Sequence, residues 1–198
     1  MSVSEHRRAV AKFLASHFGG KMSVQSFHTA NRRREIDILK CEGAPSRGVS
    51  SFATVGLSEV PLVFKRKEYP VRIELVGANA SDFECYGEML SSAAFTIMNR
   101  TKFAAPGTVL RDIVGMHAPR SPMRHLLCTT PFLWEPPLVT ATFSELSVAW
   151  LLIAPIGPAE ADYAAAAGPR ALEELLERCS ADVTDIFRPE VPIPLEGS

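Results

Sequence analysis

The sequence predicts an α+β fold, with a mainly antiparallel or mixed sheet of about seven strands packed against several helices. Strand-like segments occur in groups instead of alternating strictly with helices, which is typical of α+β proteins. A helix predicted over about residues 82–99 has an apolar face broad enough to cover a sheet. The run Val148–Ala154 is apolar nearly throughout, which predicts a central strand covered on both faces.

The composition fits one globular domain, predicted to span residues 1–198. Of the 198 residues, 46% are hydrophobic, and a chain of this length can bury a sizeable core without disulfide or metal staples. The 21 basic and 22 acidic residues give a formal charge of -1. Because no overall charge attracts nucleic acid or an anionic membrane, we expect neither as a partner.

Residues that usually mark a compartment or a cofactor are sparse. The chain begins with a polar segment that does not resemble a signal peptide, and no apolar run approaches the ~20 residues of a membrane helix. No pair of cysteines has the close spacing of a zinc knuckle or a redox CxxC motif, since the four lie far apart at Cys41, Cys85, Cys128 and Cys179. These features predict a cytoplasmic protein with free thiols and without metal or cofactor.

The N-terminal segment, residues 1–20, predicts a helix over about residues 3–18. Ser2 and Glu5 have the spacing of a capping box, and apolar residues recur at helical intervals until Phe18. The glycine pair that follows tolerates a left-handed turn and therefore marks the end of the helix.

Four strands are predicted between this helix and the covering helix, at about residues 24–29, 35–41, 49–56 and 70–77. Between the third and fourth, the sequence predicts a turn over residues 57–61 and an exposed loop or edge over 62–69. Ser81 and Glu84 form a second capping box, which marks the start of the covering helix.

The second half of the chain begins with an irregular stretch, because glycines and prolines interrupt residues 102–124. Three strands follow, at about residues 126–130, 138–143 and 148–156, the last two as a hairpin. Helices are predicted over 159–167 and after Pro169. The tail, 182–198, is proline-rich, and we expect a short strand or turn near 183–187 before it frays.

The sequence contains no motif for a known catalytic site, such as a Gly-rich phosphate loop or a GxSxG elbow. Glu35 and Asp37 share one face of a predicted strand, about 6.5 Å apart. Such a pair could perform acid–base chemistry or form a solvated surface, so a small enzyme or ligand-binding protein using carboxylates or a cysteine remains an alternative. His125 and Cys128 point to opposite faces of their strand, so the sequence does not support a catalytic pair there, although it does not exclude a partner from elsewhere in the chain.

The loop over residues 131–137 carries two large aromatic side chains between prolines. Trp134 could anchor a partner, since tryptophan is enriched at binding hot spots, or it could fix the loop to the core. Both interpretations stay open at this stage. Candidate partner contacts taken from the sequence pattern itself are Trp134, Glu135 and Asp37.

Several segments, in their order along the chain, resemble the suppressor of fused domain family in its bacterial single-domain form. These segments are Ile36–Leu39, Phe52–Glu59, Val71–Leu75, Pro106–Leu110, Pro131–Glu135 and Leu151–Ile156 with the helices after it. Glu59 follows the Gly-Leu-Ser turn where the family commonly has Asp.

The resemblance implies a non-catalytic protein-binding domain. Animal relatives hold a transcription factor and carry a second domain that is absent at this length. Many bacterial relatives resemble immunity proteins of polymorphic toxin systems, so the resemblance predicts a toxin as the protein partner. It also implies that Phe52 and Glu59, around the Gly-Leu-Ser turn, face the partner. The oligomeric state is not predicted.

Overall fold

The computed structural model describes residues 4–80, 83–99 and 103–194. Its strands are β1 (Lys21–His28), β2 (Glu35–Glu42), β3 (Ser50–Val55), β4 (Val63–Phe64), β5 (Lys67–Glu68), β6 (Val71–Asn79), β7 (Val109–Leu110), β8 (His125–Thr129), β9 (Ala141–Phe143) and β10 (Leu146–Ile156). Its helices are α1 (Glu5–Phe18), α2 (Tyr86–Met98), α3 (Ile113–His117), α4 (Pro158–Ala167) and α5 (Pro169–Arg178), with a 3₁₀ turn at Leu57–Glu59.

Eight of these strands form one mixed sheet, with the order β1-β2-β3-β6-β10-β8-β7 and β9 beside β10. The β6–β10 pair is parallel and the other pairs of this sheet are antiparallel. β4 and β5 form a separate two-stranded hairpin. The predicted α+β class, with a mixed sheet of this size and several helices, is confirmed.

β10 is the central strand that its apolar sequence predicted. It pairs with β6 on one side and with β8 and β9 on the other. The segment Leu151–Ile156 is buried throughout, because helices cover both faces of the sheet here. This explains why no polar residue alternates with the apolar ones along that half of the strand.

The two sheet faces carry separate apolar layers. On one face α1 buries Val10, Leu14 and Phe18 against the sheet. On the other face the broad apolar side of α2 packs on β2, β3 and β6, with Leu90 fully buried. α4 and α5 close the β8–β10 end of the sheet, where Leu172 contributes to a third apolar cluster.

The first long helix ends at Phe18 before Gly19, as predicted, but both long helices begin later than expected. α1 is capped by Ser4, whose hydroxyl accepts a hydrogen bond from the Arg7 backbone N–H at 3.1 Å; the predicted cap Ser2 lies outside the described residues. The α-helical hydrogen bonding of α2 begins at Tyr86, and the predicted capping residue Ser81 is likewise outside the described range. Helix ends are the least constrained part of a periodic pattern.

Residues 188–193 of the tail, which was expected to fray, pack against the rest of the chain; residues 195–198 lie outside the described residues. Arg188, of which 5% is exposed, reaches the fully buried Glu160 of α4 with both terminal nitrogens, at 2.7 and 2.8 Å. Residues near 183–187 form turns and no strand. This buried ion pair helps to hold the tail, and a proline-rich composition does not reveal it.

Candidate partner-binding surface at the Gly-Leu-Ser turn

The Gly-Leu-Ser turn is built around a buried carboxylate. Glu74 of β6 is fully buried, and its two oxygens accept the backbone N–H groups of Gly56, Leu57 and Ser58 at 2.9, 3.2 and 3.1 Å. The hydroxyls of Ser58 and Thr54 donate to the same carboxylate at 2.7 and 2.5 Å. Five donors therefore satisfy one acid and fix the three residues before Glu59.

No cation of the described residues pairs with Glu74. Burial raises the pKa of its carboxyl, while the hydrogen bonds from Ser58, Thr54 and Gly56 act in the opposite direction. Because N–H and O–H donors surround both oxygens, the arrangement suits the carboxylate form, which only accepts hydrogen bonds.

Gly56 allows the chain to leave β3 and close this turn. Its φ is +113°, a conformation that residues with a side chain rarely adopt. A Cβ at this position would also lie 2.7 Å from Nε of Arg7. The glycine is therefore required both by the backbone and by the close approach of α1.

Arg7 of α1 connects the turn to β2. Its Nε donates to Oε2 of Glu59 at 2.9 Å, and its Nη1 lies 3.4 Å from Asp37 and 3.6 Å from Glu35. Ser4 donates to the other Glu59 oxygen at 2.6 Å. One guanidinium thus holds three acids together, two of which are the pair that the sequence offered for acid–base chemistry.

Asp37 is enclosed within this network. Only 10% of its side chain is exposed, and Ser26 of β1 donates to it at 2.5 Å. Glu59 is the accessible member, with a third of its side chain exposed. A partner can therefore contact Glu59 directly. Asp37 is buried and contributes only through its ion pair with Arg7.

Two aromatic candidates lie in the core, so the expectation that they face a partner is corrected. Phe52 is 6% exposed and packs against Tyr86 of α2, with 4.7 Å between ring centroids. Trp134 is 3% exposed; its Nε1 donates to Ser51 at 2.8 Å and its ring stacks on Phe18. α1 packs on one face of β3 and α2 on the other, so both faces are covered. The proline-bounded loop turns Trp134 inward.

Glu135, next to Trp134 in the chain, is exposed. The structure therefore presents two of the five candidates at the surface, Glu59 and Glu135. Asp37 is buried below the first of them.

A second surface feature is the hairpin β4–β5, which follows the Gly-Leu-Ser turn. The sequence predicted only an exposed loop or edge here. The hairpin β4–β5 exposes about half of Phe64 and Tyr69, whose rings both contact Phe103. Beside it runs an open apolar groove of about 710 Å³, also lined by Leu62 and Val139. The sequence signal for this feature is the apolar pair Val63 and Phe64 next to the charged residues 65–68. The prediction of an exposed loop or edge did not use it.

The two fully buried cysteines are poorly suited to nucleophilic chemistry. Burial raises the pKa of the Cys128 thiol to about 12 and also raises that of Cys41, which disfavours the nucleophilic thiolate. Within residues 4–80, 83–99 and 103–194, no group of three His, Cys, Asp or Glu side chains could hold a metal ion. None of the helices in those ranges is long and apolar enough to cross a membrane.

Comparison with known proteins identifies relatives over nearly the whole chain. The chain is 34% identical over 191 residues to "Immunity protein YqcF" of Bacillus subtilis (strain 168), covering 96% of this chain and 100% of that protein. Its fold is similar to the crystal structure of a suppressor of fused homologue from Neisseria gonorrhoeae, with a TM-score of 0.70, 14% identity and coverage of 96% and 99% of the two chains.

A chain in the Sufu–Fu complex crystal structure is similar with a TM-score of 0.65 and 12% identity, covering 93% of this chain and 91% of that one. At these identities the two structures support the fold alone. The family model described as Suppressor of fused protein (SUFU) matches residues 32–189, a range that contains the Gly-Leu-Ser turn and its Glu74 anchor. The chain therefore belongs to the suppressor of fused family.

Proposed function

We propose that this protein is an immunity protein, which binds a toxin domain and neutralises it by contact without catalysis. The observation that carries this proposal is the 34% identity to Immunity protein YqcF along the full length of that relative. A relationship of this kind concerns the whole domain and not a shared local motif. The proposed place of action is the cytoplasm.

The contact surface that we propose comprises Glu59, the hairpin β4–β5 and the groove beside it. Phe64 and Tyr69 are half-exposed aromatic side chains, and such residues supply most of the energy at protein interfaces. The hairpin turn carries Lys65, Arg66 and Lys67, which would pair with carboxylates that surround an apolar anchor of the toxin.

The buried candidates contribute indirectly in this proposal. Asp37 positions Arg7, which orients Glu59. Phe52 and Trp134 hold β3 and the loop that carries Glu135. Substitution of either aromatic residue would reduce stability first and binding only as a consequence.

The proposal is tested with the toxin domain encoded beside this protein in its genome of origin. We expect co-expression of the protein to restore growth of cells that produce the toxin, and the two purified proteins to form a stable complex. Growth that is not restored, together with no complex by calorimetry, would contradict the proposal.

The contact surface is tested separately with the double variant Phe64→Ala/Tyr69→Ala. We expect its affinity for the toxin to fall by about 100-fold, since each truncated interface aromatic commonly costs more than 1 kcal/mol. Met116→Ala, which truncates another exposed apolar side chain, is the matched control and should bind normally. If both variants bind with unchanged affinity, the toxin contacts a different face.

A further inference from the structure

The edge strand β1 is unusually open. It ends the sheet on one side, and seven of its eight residues are exposed. Its pairing with β2 proceeds one-to-one from Lys21 opposite Glu42 to His28 opposite Glu35, without a bulge. Its outer edge therefore offers a regular row of backbone groups that no described strand pairs.

The side chains along β1 do not protect this edge. Between Lys21 and His28 the sequence Met-Ser-Val-Gln-Ser-Phe has no charge, proline or glycine. Natural edge strands usually carry such residues, or a bulge, because they prevent pairing with another chain. Their absence over six successive residues indicates that this edge is used.

One face of β1 also exposes apolar surface. Met22 and Val24 are 53% and 52% exposed and lie opposite Cys41 and Leu39 of β2, on the face that carries α1. α1 packs on β2, β3 and β9, so it leaves Met22 and Val24 uncovered. Arg7 contacts the neighbouring acids of β2, Asp37 and Glu35, and offsets part of their charge.

We infer that β1 pairs antiparallel with β1 of a second copy of this chain and forms a two-fold symmetric dimer. In the register that places Val24 opposite Val24, Met22 faces Ser26 and Lys21 faces Phe27 of the other copy. No like charges oppose each other, and the lysine lies beside an aromatic ring. The exposed apolar side chains of both copies then share one face of a continuous sheet.

A second copy is favoured over a foreign strand by self-complementarity. In the two-fold pairing about Val24, the exposed Val24 side chains of the two copies face each other, and Met22 of each copy lies diagonal to Val24 of the other on the same face. The formal charge of the whole chain is only -1, and two copies therefore repel each other weakly. The inference goes beyond toxin binding and does not depend on it.

Sedimentation of the isolated chain tests the dimer. We expect a mass of twice the 21.6 kDa of one chain at concentrations of about 100 μM. Val24→Lys would place two lysines opposite each other, so its dissociation constant should rise about 100-fold or more. Met116→Lys adds the same charge at another exposed apolar position and should leave the dimer intact.

The symmetry supplies a second measurement. In the proposed register, mixing Val24→Lys with Val24→Asp places opposite charges face to face, and we expect the mixture to form a heterodimer that Val24→Lys alone does not. Thermal melts of each variant show whether it is folded. A single-chain mass for the natural protein, or a Val24→Lys variant that stays dimeric, would overturn the inference. A natural protein that is monomeric but loses toxin binding on Val24→Lys would assign the edge to the toxin instead.

Discussion

Glu74 shows how a single side chain determines the shape of the candidate surface. The backbone N–H groups of three successive residues point at its carboxylate, so the turn that carries Glu59 is an anion-binding loop whose anion belongs to the protein itself. The charge is enclosed and cannot be offered to a ligand. Its function at the residue scale is to fix the turn.

Glu74→Gln should therefore destabilise the fold by about 3 kcal/mol. The amide keeps the size of the carboxylate but turns an NH₂ group toward backbone donors, which leaves buried groups unsatisfied. The free energy of unfolding in urea measures the loss. Glu145→Gln, at an exposed position, should unfold like the natural protein. Equal stability of both variants would mean that the turn does not need the charge.

Substitution of Gly56 by alanine would add both backbone strain and a steric clash with Arg7, and a comparison with Gly43 separates these two costs. Gly56→Ala should destabilise more than Gly43→Ala, because both have positive φ but only the first places Cβ within 4 Å of other atoms. The left-handed conformation costs roughly 1–2 kcal/mol in each. The added cost at Gly56 arises from Arg7, so it should shrink when Arg7→Ala is combined with Gly56→Ala. Urea denaturation of all four proteins tests this, and additive losses in the double variant would contradict it.

At the scale of elements, the C-terminal segment packs on the core through buried apolar side chains, such as Ile186 and Val191, and through buried polar contacts. Arg188 also donates to the carbonyl of Pro155 at the end of β10, and the backbone N–H of Val191 donates to Glu160. The segment thereby joins α4 to the central strand. The segment is held by side-chain packing and by these hydrogen bonds, without a helix or a strand of its own.

Arg188→Met should cost about 3–5 kcal/mol, because it leaves the buried carboxylate of Glu160 without a cation. Adding Glu160→Met removes the unpaired buried carboxylate, so the double variant should be more stable than Arg188→Met alone. Chemical denaturation gives both values. Arg170→Met breaks the highly exposed pair with Glu174 and should change stability very little. A double variant less stable than the single one would show that the hydrogen bonds of Glu160 matter more than its charge.

At the scale of the whole molecule, local periodicity was enough to predict β6, β10 and the covering helix. It could not assign Phe52, because alternation gives the face of a strand but not whether a helix covers that face. Glu74 is a similar case: it alternates with Ile73 and Leu75 like a solvent-facing acid, yet the turn over residues 56–58 packs on its carboxylate and buries it. Arg7 meets Glu59 across 52 positions of sequence, a distance over which spacing carries no information.

The two buried thiols can test whether the sheet and its two layers unfold as a unit. Cys41 belongs to the layer under α1 and Cys128 to the layer under α2, and both are fully buried. The interior strands contribute side chains to both layers, so we expect the sheet and the helices that cover it to open as one cooperative unit. In a variant with Cys85→Ser and Cys179→Ser, we expect both thiols to react with a disulfide reagent at rates that rise with urea along the same slope. The exposed Cys179 of the natural protein should react at once and serves as the control.

A faster reaction of Cys41 with a shallower urea dependence would show instead that α1 detaches separately, carrying Arg7 away from Glu59 before the sheet opens.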